Sequence, residues 1–183
     1  MVNCQECQCQ VQTKTLPVYR DDLMGIPVVL LDSAIEERCE KCGMILATII
    51  PDLNGLIAAV AVTRAMEPAK LTGPEIRFMR KAIDMSAKAL AEVLEVKPET
   101  LSRWENSKDV MGPTSEKLLR MVTIGMMCRK APAVDSDLQS IVDMRIQSVR
   151  SNLELPEMVF ERIKIKLDRK KEDHWDHTDR KAA

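Results

Sequence analysis

Four of the six cysteines in this 183-residue chain fall into two pairs of one spacing, Cys4-Gln5-Glu6-Cys7 and Cys39-Glu40-Lys41-Cys42, the second followed at once by Gly43. A Cys-x-x-Cys turn aims two thiolates at one ion. Two such turns complete a tetrahedral four-sulfur site, the usual structural zinc arrangement. The expected cofactor is therefore one structural Zn2+ per chain, held by Cys4, Cys7, Cys39 and Cys42. Competing chemistries fit less well. The opening MVNCQECQCQ lacks the basic and apolar regions of a secretory signal, so a cytoplasmic location is expected, where disulfides are rare. No thioredoxin-like βαβ pattern follows either pair, which argues against a redox couple. Four thiolates leave no open position for catalysis. Cys9 extends the first pair to CQECQC, and exchange between Cys7 and Cys9 as ligand stays open. Cys128 lies in a Met-rich helical stretch and is expected as a buried thiol.

A second stretch with chemistry in it is ETLSRWENSK, residues 99–108. Leu101 and Trp104, three apart, are expected to point into a core, which turns Glu99, Ser102, Arg103 and Asn106 outward. The elements that must hold this helix are legible around it. TGPEIRFMRKAID has Thr72 as a cap and Ile76, Met79 and Ile83 on one face. SAKALAEVLE has Ser86 as N-cap and Leu90, Val93 and Leu94 inward. VKP is a tight turn, and Pro98 suits the first turn of the next helix. GPTSEKLLRMVTIGMM supplies a closing helix. Two short helices joined by a tight turn, the second with a polar outer face, form a helix-turn-helix.

The 31 residues between the cysteine pairs include LPVYRDDLMGIPVVLLD, whose β-branched residues around Gly25 and Pro27 predict a hairpin or small twisted sheet. A sheet that small buries too little apolar area alone, and a metal supplies the missing stability. PDLNGLIAAVAVTRAM, 51–66, has Leu53, Leu56, Ile57, Val60 and Arg64 at helical spacing and is apolar around much of its circumference, so it is expected to pack on two sides. Past residue 131, Leu138, Ile141, Val142, Arg145 and Val149 recur at helical spacing. Pro156 then marks a further expected helix with Val159, Ile163 and Leu167 on one face. The domains expected are thus a 1–50 cysteine module, a 51–70 linker helix, a 71–131 helix-turn-helix domain and a helical 132–183 extension. The fold class is α+β.

Charge is uneven. Residues 1–50 carry four Lys/Arg against seven Asp/Glu, residues 70–131 twelve against eight, and residues 132–183 ten against eleven. A basic middle suits nucleic acid, and an acidic start suits a basic protein partner. With 3% aromatic residues and twelve Met, the core must be aliphatic. No run approaches the roughly 18 apolar residues of a membrane span. An enzyme is not expected: no Ser/His/Asp, Cys/His or open metal constellation occurs, and the two histidines, His174 and His177, lack a third ligand and are expected in solvent.

MSAKALAEVLEVKPETLSRWENSK is similar to the helix-turn-helix of the lambda-repressor/Cro (XRE) family in its Leu90-Ala91 core, Val96 in the turn, and TLSRWENSK. The module order, two cysteine knuckles around a hairpin, a connecting helix, then this domain, resembles over residues 1–128 the MqsA-like antitoxins with a YgiT-type zinc finger. That resemblance implies a homodimer on a palindromic double-stranded operator that represses its own operon, with the zinc module contacting a small toxin protein, often an mRNA interferase. It places Arg103 and Glu99 at bases, and the outward Ser102 is expected to contact a base beside them. Arg103 can offer its planar fork to O6 and N7 of guanine. Lys97, Asn106 and Lys108, at the helix ends, suit phosphates. Glu99 departs from the amide common in that family, so the operator sequence does not carry over. A stand-alone zinc-finger/helix-turn-helix regulator without a toxin stays open beside this reading. The role of residues 132–183, as dimer arm, toxin clamp or recruiting helix, is also open.

Overall fold

β-branched residues on either side of Met24 and Gly25 fold into a hairpin of β2 (Val18–Leu23) and β3 (Ile26–Leu31), in register from Val18↔Leu31 to Leu23↔Ile26. Met24 and Gly25 have φ of 54° and 95°. Two successive positive φ values match the turn to the right-handed twist of the strands. The Asp22 carboxylate accepts the Gly25 N–H at 2.5 Å and fixes the corner. The computed structural model describes residues 3–147, 157–167 and 170–177.

Two sheets form. β1 (Val11–Thr15), β4 (Ile35–Cys39) and β5 (Ile45–Ile49) make an antiparallel sheet in the order β1-β4-β5. The hairpin belongs to the other sheet, in the order β2-β3-β6-β7, with β6 at Met158–Leu167 and β7 at Lys170–His177. β3 pairs parallel with β6, from Val28↔Met158 to Leu31↔Glu161. That explains why Val28, Val29, Leu30 and Leu31 are all buried: a strand flanked on both edges and covered on both faces reads as a continuous apolar run. The expected hairpin is therefore present, but Cys39 ends a strand of the neighbouring sheet.

Six helices lie between β5 and β6 among the described residues: α1 (Leu53–Met66), α2 (Gly73–Ala82), α3 (Ala87–Val93), α4 (Pro98–Glu105), α5 (Pro113–Met127) and α6 (Leu138–Asp143). The class is mixed α+β, a β-rich N-terminal region with a four-cysteine cluster followed by a helical domain. The C-terminal part opens helically with α6. Beyond it the expected helix carrying Val159, Ile163 and Leu167 is corrected to β6. Ile163-Lys164-Ile165-Lys166-Leu167 also alternates with period two, and the open edge of β3 offers ladder partners that only a strand can use. The expected helical run through Arg145 stops at Asp143, and Gln147 instead bridges to Ala69. Val149 lies outside the described residues.

α1 forms the centre of the molecule. Asp52 caps it by accepting the Gly55 N–H at 3.0 Å. Leu56, Ala58 to Val62, Arg64 and Ala65 are all buried, as its all-round apolar surface predicts. Its partners include α5, α2 and β7. Arg64 enters a buried ion network at the end of the helix. Arg64 pairs with Glu75 through Nε and, at 3.2 Å, through Nη2. Arg120 pairs with Glu116 at 2.8 Å, and Lys70 approaches the other Glu116 oxygen at 3.4 Å. The connector 67–71 runs through this network. Its carbonyls at Glu67, Ala69 and Lys70 accept from the two guanidinium groups, and the Leu71 N–H donates to Glu116 at 2.9 Å. Burial pushes the Arg120 pKa down, and the adjacent Glu116 carboxylate opposes that shift. Buried charges persist only when paired and hydrogen-bonded on this scale.

Candidate metal centre and nucleic-acid interface

Two equivalent turns build the cysteine cluster. In the first, the Gln8 N–H returns to the Cys4 carbonyl at 2.9 Å; in the second, the Gly43 N–H returns to the Cys39 carbonyl at 3.0 Å. The residue after each pair is left-handed, Gln8 at φ 60° and Gly43 at 71°. That backbone turn folds both sulfurs of a pair to one side, and glycine adopts it without steric cost. The thiols meet across the pairs: Cys4 Sγ to Cys42 Sγ is 3.7 Å, Cys7 to Cys39 3.4 Å, and Cys7 to Cys42 3.8 Å. All four Sγ atoms lie within 4.8 Å of one another. Tetrahedral bonds of about 2.3 Å place sulfurs about 3.8 Å apart, so the cluster fits a metal ion with little adjustment. The amide of Cys42 chiefly draws the Cys39 thiol down to about 6. Cys7 stands at about 12; the Cys9 amide favours its thiolate, but the Cys39 thiol, desolvation and the other two thiols outweigh it. A cation supplies the charge that lets all four deprotonate together. Cys9 is outside the cluster, its thiol donating to the Cys7 carbonyl at 3.3 Å. Cys128 is half-buried against the core. His174 and His177 sit opposite Ile163 and Phe160 on the β6–β7 ladder, and their side chains lie outside the described residues.

The second site is α4 with its supports. Ser86 caps α3, accepting from Ala89 at 3.1 Å. The turn between α3 and α4 closes through a left-handed Glu95, φ 53°, and a Val96 N–H to Ala91 carbonyl bond of 2.9 Å. Pro98 occupies the first turn of α4. Leu90, Leu94, Leu101 and Trp104 are buried as expected; Val93 is 40% exposed and is corrected to the outer surface, one step round from Leu94. Glu99, Ser102 and Arg103 lie on the solvent face, with Lys97 before the helix and Asn106 and Lys108 after it, all exposed. The Arg103 side chain approaches Asp109 at 3.8 Å. Asn106 is more engaged: its amide donates to the Ser102 carbonyl at 2.7 Å and its Oδ1 accepts from Arg77 at 2.7 Å.

Sequence reasoning missed the clamp beneath this helix. Glu105 is 7% exposed, and Arg80 of α2 donates to both its oxygens, at 2.5 Å and 3.0 Å. This bond holds the Arg80 pKa above its ordinary value. Arg77 adds a bond to the Glu105 carbonyl at 3.3 Å. Gly73 permits the close approach: a β-carbon there would meet Ser107 Oγ at 2.5 Å and the carbonyls of Trp104 and Glu105 at 2.8 Å. No local signal marks Glu105 as buried, because the residue after Trp104 on a helix points about 100° away from it.

Among the described residues, no helix is long and apolar enough to cross a membrane. Compared with curated proteins and with solved structures, the chain matches none. Residues 76–123, from α2 into α5, match the family model described as Helix-turn-helix, a DNA-binding unit rather than a catalytic one. The chain thus carries a helix-turn-helix domain, with α4 as its outward-facing second helix, joined to a four-cysteine cluster able to hold a metal ion.

Proposed function

We propose that this chain is the antitoxin of a toxin–antitoxin system, a cytoplasmic homodimer that represses its own operon and neutralises a small toxin. The observation that carries the reading is the union, in one chain and in this order, of a four-cysteine module and a helix-turn-helix domain. The ion in this reading is Zn2+, the usual occupant of a structural four-thiolate site. On DNA, Arg103 contacts a guanine, with Glu99 and Ser102 beside it at base edges, and Lys97, Lys108 and Asn106 contact phosphates.

A dimer face is available on α5 and α6. Leu118, Met126, Leu138 and Val142 are exposed apolar residues there, and Lys117 ties the two helices by donating to the Val142 carbonyl at 2.6 Å. α1, apolar around much of its circumference, is spent on the chain's own core. The toxin surface is the acidic N-terminal region, where Asp22, Asp32 and Glu40 are exposed. Opposite charge steers a basic RNA-handling partner toward it. Because β6 pairs with β3, the C-terminal extension borders this same region. The test is co-expression with the small protein encoded beside this chain. Rescue of growth and a stable complex support the antitoxin reading. A neighbour that is harmless alone and does not bind leaves a stand-alone regulator in its place.

A further inference from the structure

A cavity of about 320 Å³ opens directly beneath the loop that follows α4. Its walls are apolar: Leu71, Ile76, Trp104, Val110 and Met111. That volume lies within the range of small-molecule sites, which combine apolar walls with a few polar groups. Val110 is 64% exposed, the most exposed large apolar side chain among the described residues. The polar groups are unevenly committed. Lys70 is already held by the Met111 carbonyl at 2.7 Å, and Thr72 donates its hydroxyl to Glu75 at 2.8 Å. Asp109 also lines the cavity and is 53% exposed, its carboxylate accepting the Val110 N–H at 2.8 Å and meeting Arg103 only at 3.8 Å.

The geometry points to an effector site for a small aromatic or aliphatic amine. The apolar part enters beside Trp104, and the ammonium meets Asp109. A carboxylic acid is disfavoured by Asp109, and a neutral analogue lacks the ion pair. Asp109 is shared between this cavity and Arg103, so an amine that takes Asp109 frees Arg103 for DNA. This coupling rests on the DNA-binding role of α4; the binding site itself does not. An exposed ion pair is weak, so the amine should tighten operator binding by no more than about fivefold, and the operator should tighten amine binding by the same factor.

The test is titration of the full chain with 2-phenylethylamine, 2-phenylethanol and 3-phenylpropionate, followed by calorimetry and by amide chemical shifts. Saturable amine binding with a dissociation constant of about 1 mM or tighter, with shifts centred on residues 70–76 and 104–111, is the expected result. Asp109→Asn, at an exposed position that preserves folding, should weaken the amine by about two- to fivefold, as an exposed ion pair allows, and leave 2-phenylethanol unchanged. Absence of saturation, shifts centred elsewhere, equal binding of the carboxylate, or an unchanged Asp109→Asn variant would overturn the site. A chain that binds the amine but no DNA leaves the site standing and removes only the coupling and the DNA-binding role of α4.

Discussion

Glu105→Ala tests how the outward helix is held. The wild-type carboxylate accepts two charge-assisted bonds from Arg80, at 2.5 Å and 3.0 Å. Such bonds contribute about 1.5–3 kcal/mol each, so the pair contributes about 3–6 kcal/mol. The lower end applies, because Arg80 is 14% exposed and keeps its bond to the Met85 carbonyl at 3.1 Å, and water can reach the freed guanidinium. The expected loss is about 3 kcal/mol, the size measured when one partner leaves a buried pair. With a urea slope of about 2 kcal/mol/M, the unfolding midpoint should fall by about 1.5 M. Circular dichroism of the helices measures it. The double variant Arg80→Met/Glu105→Leu, which removes both charges, should recover more than half of the loss. A Glu105→Ala loss under about 1 kcal/mol, or a double variant as unstable as the sum of its parts, refutes the clamp.

Three further outcomes are expected. Protein purified without chelator should contain about one zinc per chain, and Cys39→Ser should lose it together with protection of the β1-β4-β5 amides from exchange, whereas Cys9→Ser should keep both; full protection in the metal-free chain contradicts a structural ion. Leu118→Lys/Met126→Lys should shift sedimentation from dimer to monomer at micromolar concentration without loss of helix content, and an unchanged dimer places the interface elsewhere. Lys108→Ala should weaken operator and random DNA alike and reduce the salt slope by about one unit; a loss confined to the operator assigns Lys108 to a base instead.

Local chemistry was legible in the sequence and distant pairing was not. Each Cys-x-x-Cys turn is written within a few residues, and so are the caps Thr72 and Ser86, the Pro98 start and the inward Leu101 and Trp104. The β6 strand was not, for two reasons. Val159, Ile163 and Leu167 fit a helical face as well as a strand face, and the partner that decides between them, β3, lies some 130 residues away, as the Val28↔Met158 pairing shows. The ion network was hidden for a related reason. Arg64, Glu75, Glu116 and Arg120 occupy ordinary helical positions, and nothing local marks their burial at 2%, 2%, 0% and 0% exposure. Only the crossing of α1, α2 and α5 puts them together, and there they hold the 67–71 connector.

The central claim is that α4 recognises DNA through Arg103. Its most direct test is fluorescence anisotropy of the full chain on the DNA upstream of its own reading frame and on a shuffled duplex, for wild type and Arg103→Ala, at one stated salt concentration. The wild type should prefer the upstream DNA by at least about a thousandfold. Arg103→Ala should weaken that complex by about 5- to 150-fold, the equivalent of about 1–3 kcal/mol, and relax preference at one base position while barely changing binding to the shuffled duplex. Equal losses on both duplexes, or a wild type that does not distinguish them, would contradict it.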